Sequence, residues 1–557
     1  LNSQNFTTAT NTYNTAVGHG AGNNVSTGFQ NTLIGGLAGD ALTDADYNTV
    51  VGKSALTADT LGSRSVAIGA FALEAQNFTT ATNSYNVAVG YDAGGDLTTG
   101  ISNTIIGGEA GDALTDADDN VAIGRLALSG DTLGSGNTAV GRGALKVQNF
   151  TTATFSYNAA VGYGAGGSVT TGKSNTLIGG LAGDALTDAD QNVAMGRSAL
   201  SADTLGSNST ALGYGTLTNQ NFTTATDSYN VAVGAFAGND VTTGAFNTLI
   251  GGLAGDALTD GFDNVAVGKG ALSTEDRGAK NTALGFEALL NQNAGTGNTH
   301  NTAVGAEAGS SITTGVQNTF VGSLTGDGTD DGSYNTAMGH TALSANCASG
   351  NTAVGWGAIA FTTGSQNVAM GNAAGYALTS GNSNILIGEN AGRTGNPGGN
   401  ITTGSNEICL GDSDVSEAHV QVDWTVASDQ RDKTDFTALD LGLDFVKALA
   451  PVTYKWDKRS KYGDKYADDY DLAAQTPDGT HKEDWLDIGF KAQAVQALEE
   501  AAGYTTAAKK NLTVSTSGDG KQMGLQYSKF VPILVKAIQE QNALIEALTA
   551  RVATLEG

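Results

Sequence analysis

Proline and cysteine are scarce in this 557-residue sequence, and their scarcity limits what the chain can be. The four prolines all lie in the last third of the chain, at positions 397, 451, 477 and 532. Without proline, a stretch rich in β-branched residues keeps every backbone N–H group that strand pairing needs. The two cysteines, Cys347 and Cys409, are far apart in the sequence and define neither a disulfide framework nor a metal site. The five histidines are scattered and predict no metal site either.

Positive charge is also scarce, with 27 Lys and Arg against 55 Asp and Glu and a net charge of −28. Residues 1–427 carry 11 basic and 35 acidic side chains, whereas residues 428–557 carry 16 and 20. An acidic surface of this size argues against nucleic acid or an anionic membrane as a partner. No apolar run approaches membrane-spanning length and no signal peptide opens the chain, so we expect no membrane insertion. The chain starts at Leu1 rather than at a methionine, which leaves room for an attachment segment before it.

Glycine is abundant, at 79 residues, and much of it belongs to a repeat. The pentad Asn-Thr-Ala-Val-Gly at 14–18 returns in related form at 31–35, 48–52 and 65–69. Its closing glycine recurs in steps of 17, 17, 17 and 21, which makes a 72-residue super-repeat. There are 23 such glycines from Gly18 to Gly411, both included. Self-similarity at a fixed period indicates one supersecondary unit stacked many times.

The pentad is too short for a helix, and its apolar residues alternate at period two. We therefore predict that each coil of the repeat contains two short strands and two turns, stacked as a parallel β-roll. Small Ala and Val side chains fill a narrow interior, and Asn and Thr form ladders along the stack. At about 4.8 Å per coil, 23 coils give a rod on the order of 110 Å long. The regular apolar positions disfavour the alternative, a disordered low-complexity tract.

The Ser-Val-Ala-Ile-Gly pentad at 65–69 resembles the head repeat of trimeric autotransporter adhesins, and similar longer coils occur in bacteriophage tail fibres. That resemblance implies a trimer in which three rolls share an apolar seam. A single thin roll buries little surface, so a homotrimer is also the physical expectation.

The longest step of each super-repeat carries a recurring segment, Gln-Asn-Phe-Thr-Thr-Ala-Thr, and two interpretations of its phenylalanines stay open. Exposed at regular heights, they could contact a glycan or protein receptor. Alternatively they pack between protomers and close the longer loop, which is the interpretation we favour. The four positions are Phe6, Phe78, Phe150 and Phe222.

A second recurring segment, Gly-Asp-Ala-Leu-Thr-Asp, places acids at fixed turns. Clustered carboxylates suit calcium, yet the EF-hand spacing is absent and Asp is common in plain turns. We therefore predict no cofactor and no metal site, and keep calcium at these turns as a less favoured alternative. The acids are Asp40, Asp44, Asp46, Asp112, Asp116, Asp118, Asp184, Asp188, Asp190, Asp256, Asp260 and Asp263.

After Gly411 the repeat ends, and residues 418–427 alternate like a last strand. Four motifs then follow in order: Ser-Asp-x-Arg-x-Lys at 428–433, Leu-x-Pro-Val-x-Tyr-x-Trp at 449–456, Gly-Phe-Lys-Ala-Gln-Ala-Val-Gln at 489–496 and Ala-Ile-Gln-Glu-Gln at 537–541. This order is similar to the intramolecular chaperone (peptidase S74) domain of phage tail fibres and tailspikes. The resemblance covers essentially all of residues 428–557.

The resemblance implies that this domain drives trimerisation and then cuts itself off before its first serine. Carried over, the cleaved bond is Ala427–Ser428, the nucleophile is Ser428 and the base is Lys433, with Asp429 and Arg431 supporting the site. A serine hydroxyl needs a neighbouring base to become a good nucleophile, and a lysine with a lowered pKa can serve as one. The plainer interpretation is a helix-capping serine and a solvated lysine.

Apolar residues at alternating steps of three and four predict a coiled coil over residues 531–556, which favours trimerisation independently of the resemblance. Its seam consists of Leu534, Ile538, Gln541, Ile545, Leu548, Val552 and Leu555.

The predicted architecture is a repetitive β-roll shaft at 1–417, a junction strand at 418–427 and an α+β chaperone domain at 428–557. The predicted function is that of a structural fibre of a phage tail or similar extracellular appendage. Its partners would be two further copies of itself, a host-surface receptor and other tail proteins. One alternative is a polysaccharide-degrading tailspike, although a glycosidase needs a unique pair of carboxylates and the acids here recur periodically. The other is a bacterial trimeric surface adhesin.

Overall fold

The computed structural model describes residues 1–396, 398–421, 424–465, 467, 470–508, 510 and 512–557. The chain forms two compact units, Leu1–Tyr334 and Asn335–Gly557.

The first unit is a parallel β-solenoid whose coils each contribute one three-residue strand to a common sheet. Stacked strands pair in exact repeat register, with Thr15 opposite Thr32 and Ala16 opposite Leu33. We call these strands the ladder strands. They are Thr15–Val17, Thr32–Ile34, Thr49–Val51, Val66–Ile68, Val87–Val89, Thr104–Ile106, Val121–Ile123, Thr138–Val140, Ala159–Val161, Thr176–Ile178, Val193–Met195, Thr210–Leu212, Val231–Val233, Thr248–Ile250, Val265–Val267, Thr282–Leu284, Thr302–Val304 and Thr319–Val321.

The prediction of two strands per coil is wrong for most coils. Within residues 1–334, all of which the structure describes, a second strand occurs only in the longer steps, as the parallel pairs Gly62–Ser63 with Thr82–Asn83, Gly134–Ser135 with Thr154–Phe155, Gly206–Ser207 with Thr226–Asp227, and Gly278–Ala279 with Gly297–Asn298. Elsewhere the opposite wall consists of turns, joined by bonds such as the Thr43 N–H to the Thr60 carbonyl at 2.9 Å. These turns use left-handed backbone at non-glycine residues, for example Leu37 at φ 58°, which is incompatible with a strand.

The interior is narrow and filled by the middle residue of each ladder strand together with alanine and leucine from the turns. Leu33, Ala38 and Leu42 are all fully buried. The closing glycine of the pentad is required by two constraints. At Gly35 the backbone has φ +139°, and an added Cβ would lie 2.3 Å from the carbonyl oxygen of Gly52 in the next coil.

A ladder of buried asparagines runs along the stack, as predicted. The side-chain oxygen of Asn31 accepts a hydrogen bond from the Asn48 N–H at 3.0 Å, and its amide donates to the Ala45 carbonyl at 2.7 Å. Each asparagine side chain therefore pairs with backbone groups of two neighbouring coils. Without these hydrogen bonds the buried backbone groups would be unsatisfied, which costs free energy.

The longer steps contain a buried pair of a carboxylate and a glutamine that the sequence analysis did not single out. Gln220 donates to Asp203 at 2.6 Å, and both side chains are fully buried. The other Asp203 oxygen accepts from the N–H groups of Gly206 and Phe222 at 3.0 and 3.1 Å. Burial raises the pKa of Asp203. The same pair occurs at Asp59 with Gln76, Asp131 with Gln148 and Glu275 with Gln292.

The second unit begins with five further ladder strands, Thr336–Met338, Thr352–Val354, Val368–Met370, Ile385–Ile387 and Ile408–Leu410. Two antiparallel pairs follow in the C-terminal region, Val452–Tyr454 with Asp487–Gly489 and Val514–Thr516 with Met523–Leu525. The α-helices are α1 (Leu443–Ala448), α2 (Ala492–Ala501) and α3 (Phe530–Glu556), and the short 3₁₀ helices are Gln430–Asp432, Arg459–Lys461, Leu472–Ala474 and Tyr527–Lys529.

The C-terminal region has a small core of its own, built from all three helices and the second hairpin. Its buried members are Leu441, Phe445, Val495, Val514, Phe530 and Ile533. The predicted fold class is thus confirmed: a mainly β chain with a parallel solenoid, followed by a small region that contains helices.

The predicted junction strand is not seen in the part that the structure describes. Residues 418–421 and 424–427 belong to no strand, and Val422 and Asp423 lie outside the described residues. No helix among the described residues is both long and apolar enough to cross a membrane.

Candidate functional site

The chain turns back on itself just after Ser428. Asp429 caps the 3₁₀ helix Gln430–Asp432, because its side chain accepts a hydrogen bond from the Arg431 N–H at 2.9 Å. At the other end of the turn the Lys433 N–H donates to the Gln430 carbonyl at 3.2 Å. The turn therefore returns Lys433 to the side of the chain on which Ser428 lies.

Ser428 and Lys433 are in direct contact. The Lys433 ammonium donates to the Ser428 hydroxyl oxygen at 2.5 Å and lies 3.4 Å from the carbonyl oxygen of the same serine. Both side chains and the Ala427–Ser428 peptide are exposed. This arrangement places a nitrogen base within proton-transfer distance of a hydroxyl, beside a peptide bond that water can reach.

Asp429 and Arg431 form a bidentate ion pair that holds the turn. The Arg431 Nη2 atom lies 2.6 Å from an Asp429 oxygen, and the Nε atom lies 3.1 Å from both oxygens. The Arg431 guanidinium holds the pKa of the Asp429 carboxyl below its usual range. Among the described residues, neither side chain forms a hydrogen bond or ion pair with Ser428, so the geometry gives the pair a positioning role.

Three of the four recurring phenylalanines are buried, which contradicts the receptor contacts considered for them. Phe78, Phe150 and Phe222 are 6%, 4% and 6% exposed, and Phe6 is half-buried. The Phe78 N–H donates to the buried Asp59, and an added Cβ on Gly62 would lie 2.8 Å from the Phe78 ring. The rings pack in the interior of the longer step, because the hydrogen bonds between the glutamine and the buried acid hold the segment against the roll.

The acidic turns also have a structural role. Thr27 donates to Asp44 of the next coil at 2.6 Å, and the Phe29 N–H donates to Asp46 at 2.9 Å. Within the described residues, no three His, Cys, Asp or Glu side chains are grouped so that they could hold a metal ion. The prediction of no cofactor and its less favoured alternative, calcium at these turns, both stay untested.

The aromatic residues that recur on the surface are tyrosines and not the phenylalanines. Tyr13, Tyr85, Tyr157 and Tyr229 recur once per super-repeat and are between 53% and 71% exposed. Exposed apolar side chains also occur in the C-terminal region, where Trp485 and Ile488 are 84% and 76% exposed. Contiguous exposed apolar patches mark surfaces that contact other molecules, whereas single exposed side chains are common on any protein surface.

The profile of the Peptidase S74 family, described as chaperone of endosialidase, matches residues 428–504. The chain carries a chaperone-of-endosialidase domain. The match begins at Ser428, where the turn described above begins, and ends before α3, so it is shorter than the expected 428–557. A comparison with curated proteins found no match.

The chaperone domain indicates which class of protein the preceding solenoid belongs to. Domains of this family mediate trimerisation of fibre proteins. A parallel β-solenoid followed by such a domain is the organisation of a fibre-like or tailspike-like protein.

Proposed function

We propose that this chain is one subunit of a homotrimeric fibre of a phage tail or similar extracellular appendage. The chaperone domain assembles three chains and then releases itself by cutting the Ala427–Ser428 bond. The observation that carries the proposal is the contact of Ser428 with Lys433 at the first residue of the chaperone domain, directly after the shaft.

Trimer formation is supported by apolar residues that a single chain leaves in water. In the ladder strands the third residue is partly exposed, as at Ile34 and Met195 with 38% and 41%. In α3 the predicted seam lies within one continuous helix, and its apolar members are between 43% and 83% exposed: Leu534, Ile538, Ile545, Leu548, Val552 and Leu555. Burying each such side chain is worth about 1.5–3 kcal/mol, so three copies of α3 gain enough to offset the entropy of association.

The cleavage chemistry follows from the position of the nucleophile directly after the bond. The Ser428 oxygen attacks the carbonyl carbon of Ala427, the C–N bond breaks, and the acyl group moves to the serine oxygen as an ester. Lys433 takes the hydroxyl proton and passes it to the departing Ser428 nitrogen. Water then hydrolyses the ester and leaves a carboxylate on Ala427 and a free amine on Ser428.

Denaturing electrophoresis with intact mass measurement tests the proposal on freshly expressed protein. The wild type should yield two fragments, 1–427 and 428–557. Ser428→Ala and Lys433→Met should stay whole, whereas the control Ser416→Ala should be cut like the wild type. A wild-type chain that is trimeric yet remains whole would make the domain a permanent trimerising cap. A Ser428→Ala chain that is still cut would exclude Ser428 as the nucleophile.

The outward task of the fibre, in this proposal, is adhesion to a receptor on a host surface, with other tail proteins holding its opposite end. Support comes from the exposed tyrosines that recur along an otherwise acidic shaft.

A further inference from the structure

One segment of the acidic shaft is locally basic. Residues 120–183 contain four basic side chains and a single acid, Asp131, which is fully buried. The remainder of residues 1–427 contains seven basic and 34 acidic side chains. The exposed charges within this stretch are therefore basic, whereas acids flank it on both sides, beginning at Asp119 and Asp184.

A cleft of about 270 Å³ opens on this basic segment, and its wall combines cations with an aromatic face. Arg142, Lys146 and Tyr163 line it together with Ser168 and Asp184. Tyr163 is 58% exposed, and the Arg142 guanidinium lies 5.7 Å from the centre of its ring. Within residues 1–334, all of which the structure describes, neither Arg142 nor Lys146 forms a salt bridge, in contrast to Arg125, which lies 3.5 Å from Glu109.

The internal repeat shows that the fold does not require this combination. Counterparts of the buried glutamine and phenylalanine recur unchanged one super-repeat before and one after. The two cations of the cleft do not: one super-repeat earlier, Arg142 and Lys146 correspond to Ala70 and Glu74, whereas Tyr163 keeps a counterpart in Tyr91. That earlier place is strongly acidic, with Glu74, Asp92, Asp96, Glu109 and Asp112. A side-chain set that occurs once in a repeated scaffold is more readily explained by recognition than by folding.

We propose that this cleft binds a carboxylate-bearing sugar unit of a surface polysaccharide. The exposed ring of Tyr163 offers a flat face for the apolar side of a pyranose. Arg142 binds a carboxylate in two-pronged geometry, with Lys146 as a second charge. Ser168 offers a hydroxyl. The cleft volume suits one sugar residue rather than a long segment. The assignment names the receptor chemistry of the proposed adhesive fibre and rests on that proposal.

Calorimetric titration of the full-length protein with tri-galacturonic acid tests the site, with maltotriose as the neutral counterpart. Arg142→Ala and Lys146→Glu introduce the residues that the same scaffold already carries at Ala70 and Glu74, so the fold should tolerate them. Each should weaken tri-galacturonate binding at least tenfold, since charge-assisted hydrogen bonds are lost. Lys173→Ala and Lys173→Glu make the same changes of charge in the same segment outside the cleft, and should leave binding within twofold.

Tyr163→Ala, which introduces the residue found at Ala235, should weaken binding without changing charge. If the Lys173 variants lost as much tri-galacturonate affinity as the cleft variants, binding would reflect the overall charge of the segment, and the proposed site would be wrong. Displacement of the sugar by equimolar inorganic phosphate would also overturn it. Light scattering on the same samples separates the two proposals. A trimer that binds no tri-galacturonate refutes the sugar site and leaves the fibre standing, whereas a monomer refutes the assembly itself.

Discussion

Replacing Gln220 by leucine should make local unfolding of the shaft more frequent, because the buried carboxylate of Asp203 loses a hydrogen-bond donor. Leucine has nearly the same size as glutamine but cannot donate the 2.6 Å hydrogen bond to Asp203. Gln220 also donates to Ser209 at 2.9 Å and accepts from Asn230 at 2.9 Å. Those two groups keep other partners, since Ser209 contacts Ser228 and Asn230 donates to the Gly244 carbonyl.

The main cost therefore falls on one carboxylate oxygen that has lost its partner. Leaving a buried acceptor without its hydrogen-bond partner costs about 1–3 kcal/mol, and more when the acceptor is charged. The other Asp203 oxygen keeps its two backbone donors, so we expect a cost of about 3 kcal/mol here. Each 1.4 kcal/mol is a factor of ten, which predicts roughly hundredfold more frequent local opening.

Hydrogen exchange read by mass spectrometry on the full-length protein measures this opening directly. In a solenoid each coil contacts only its neighbours, so the acceleration should be confined to peptides around residues 203–230. Gln191→Leu, at an exposed glutamine in the preceding coil, is the matched control and should change nothing. An acceleration of less than about threefold at Gly206 and Phe222 would refute the view that the glutamine–acid pair holds the longer step.

Three further outcomes are expected. Burial raises the pKa of Asp203 and of Glu275, so these carboxyls hold their protons more tightly in the folded shaft than in the unfolded chain. Their contribution to stability is full below the ordinary carboxyl pKa and is lost as pH rises through the folded pKa. Exchange of the shaft, corrected for the intrinsic rate, should therefore slow as the pH is lowered from neutral towards about 4. The hydrogen bond from Lys461 lowers the pKa of Asp414. This contact therefore stabilises the folded state above the ordinary carboxyl pKa, and its contribution is lost as pH falls through the folded pKa. Exchange around residue 461, corrected for the intrinsic rate, should accelerate on acidification below about pH 4. Ile545→Lys places a charge in the seam of α3 and should shift the protein from trimer towards monomer in light scattering, whereas Asn542→Lys outside the seam should not.

The repeat architecture could be predicted because every coil repeats the same alternation. The strand number per coil could not, since the second wall depends on left-handed turn residues such as Leu37, whose type gives no warning of positive φ. The burial of Phe78 depends on Gln76 meeting Asp59, a contact between coils that local sequence does not show. In the chaperone domain the predicted neighbours Ser428 and Lys433 do meet, because so short a separation is settled by one turn. The cleft of Arg142 and Tyr163 was missed because its members belong to successive coils and become neighbours only through stacking.

The 72-residue super-repeat has a consequence for the order in which chains come together. Three identical shafts displaced by one super-repeat would still match strand for strand and seam for seam over most of their length. Register is weakly specified wherever the pattern repeats, so shafts meeting along their sides could settle in several alignments of nearly equal energy. Residues 428–557 contain no such repeat, so they offer three chains no second alignment displaced by a whole repeat. In the proposed trimer, this non-repeating domain would therefore set the register in which the shafts align, and after alignment it would have no further role.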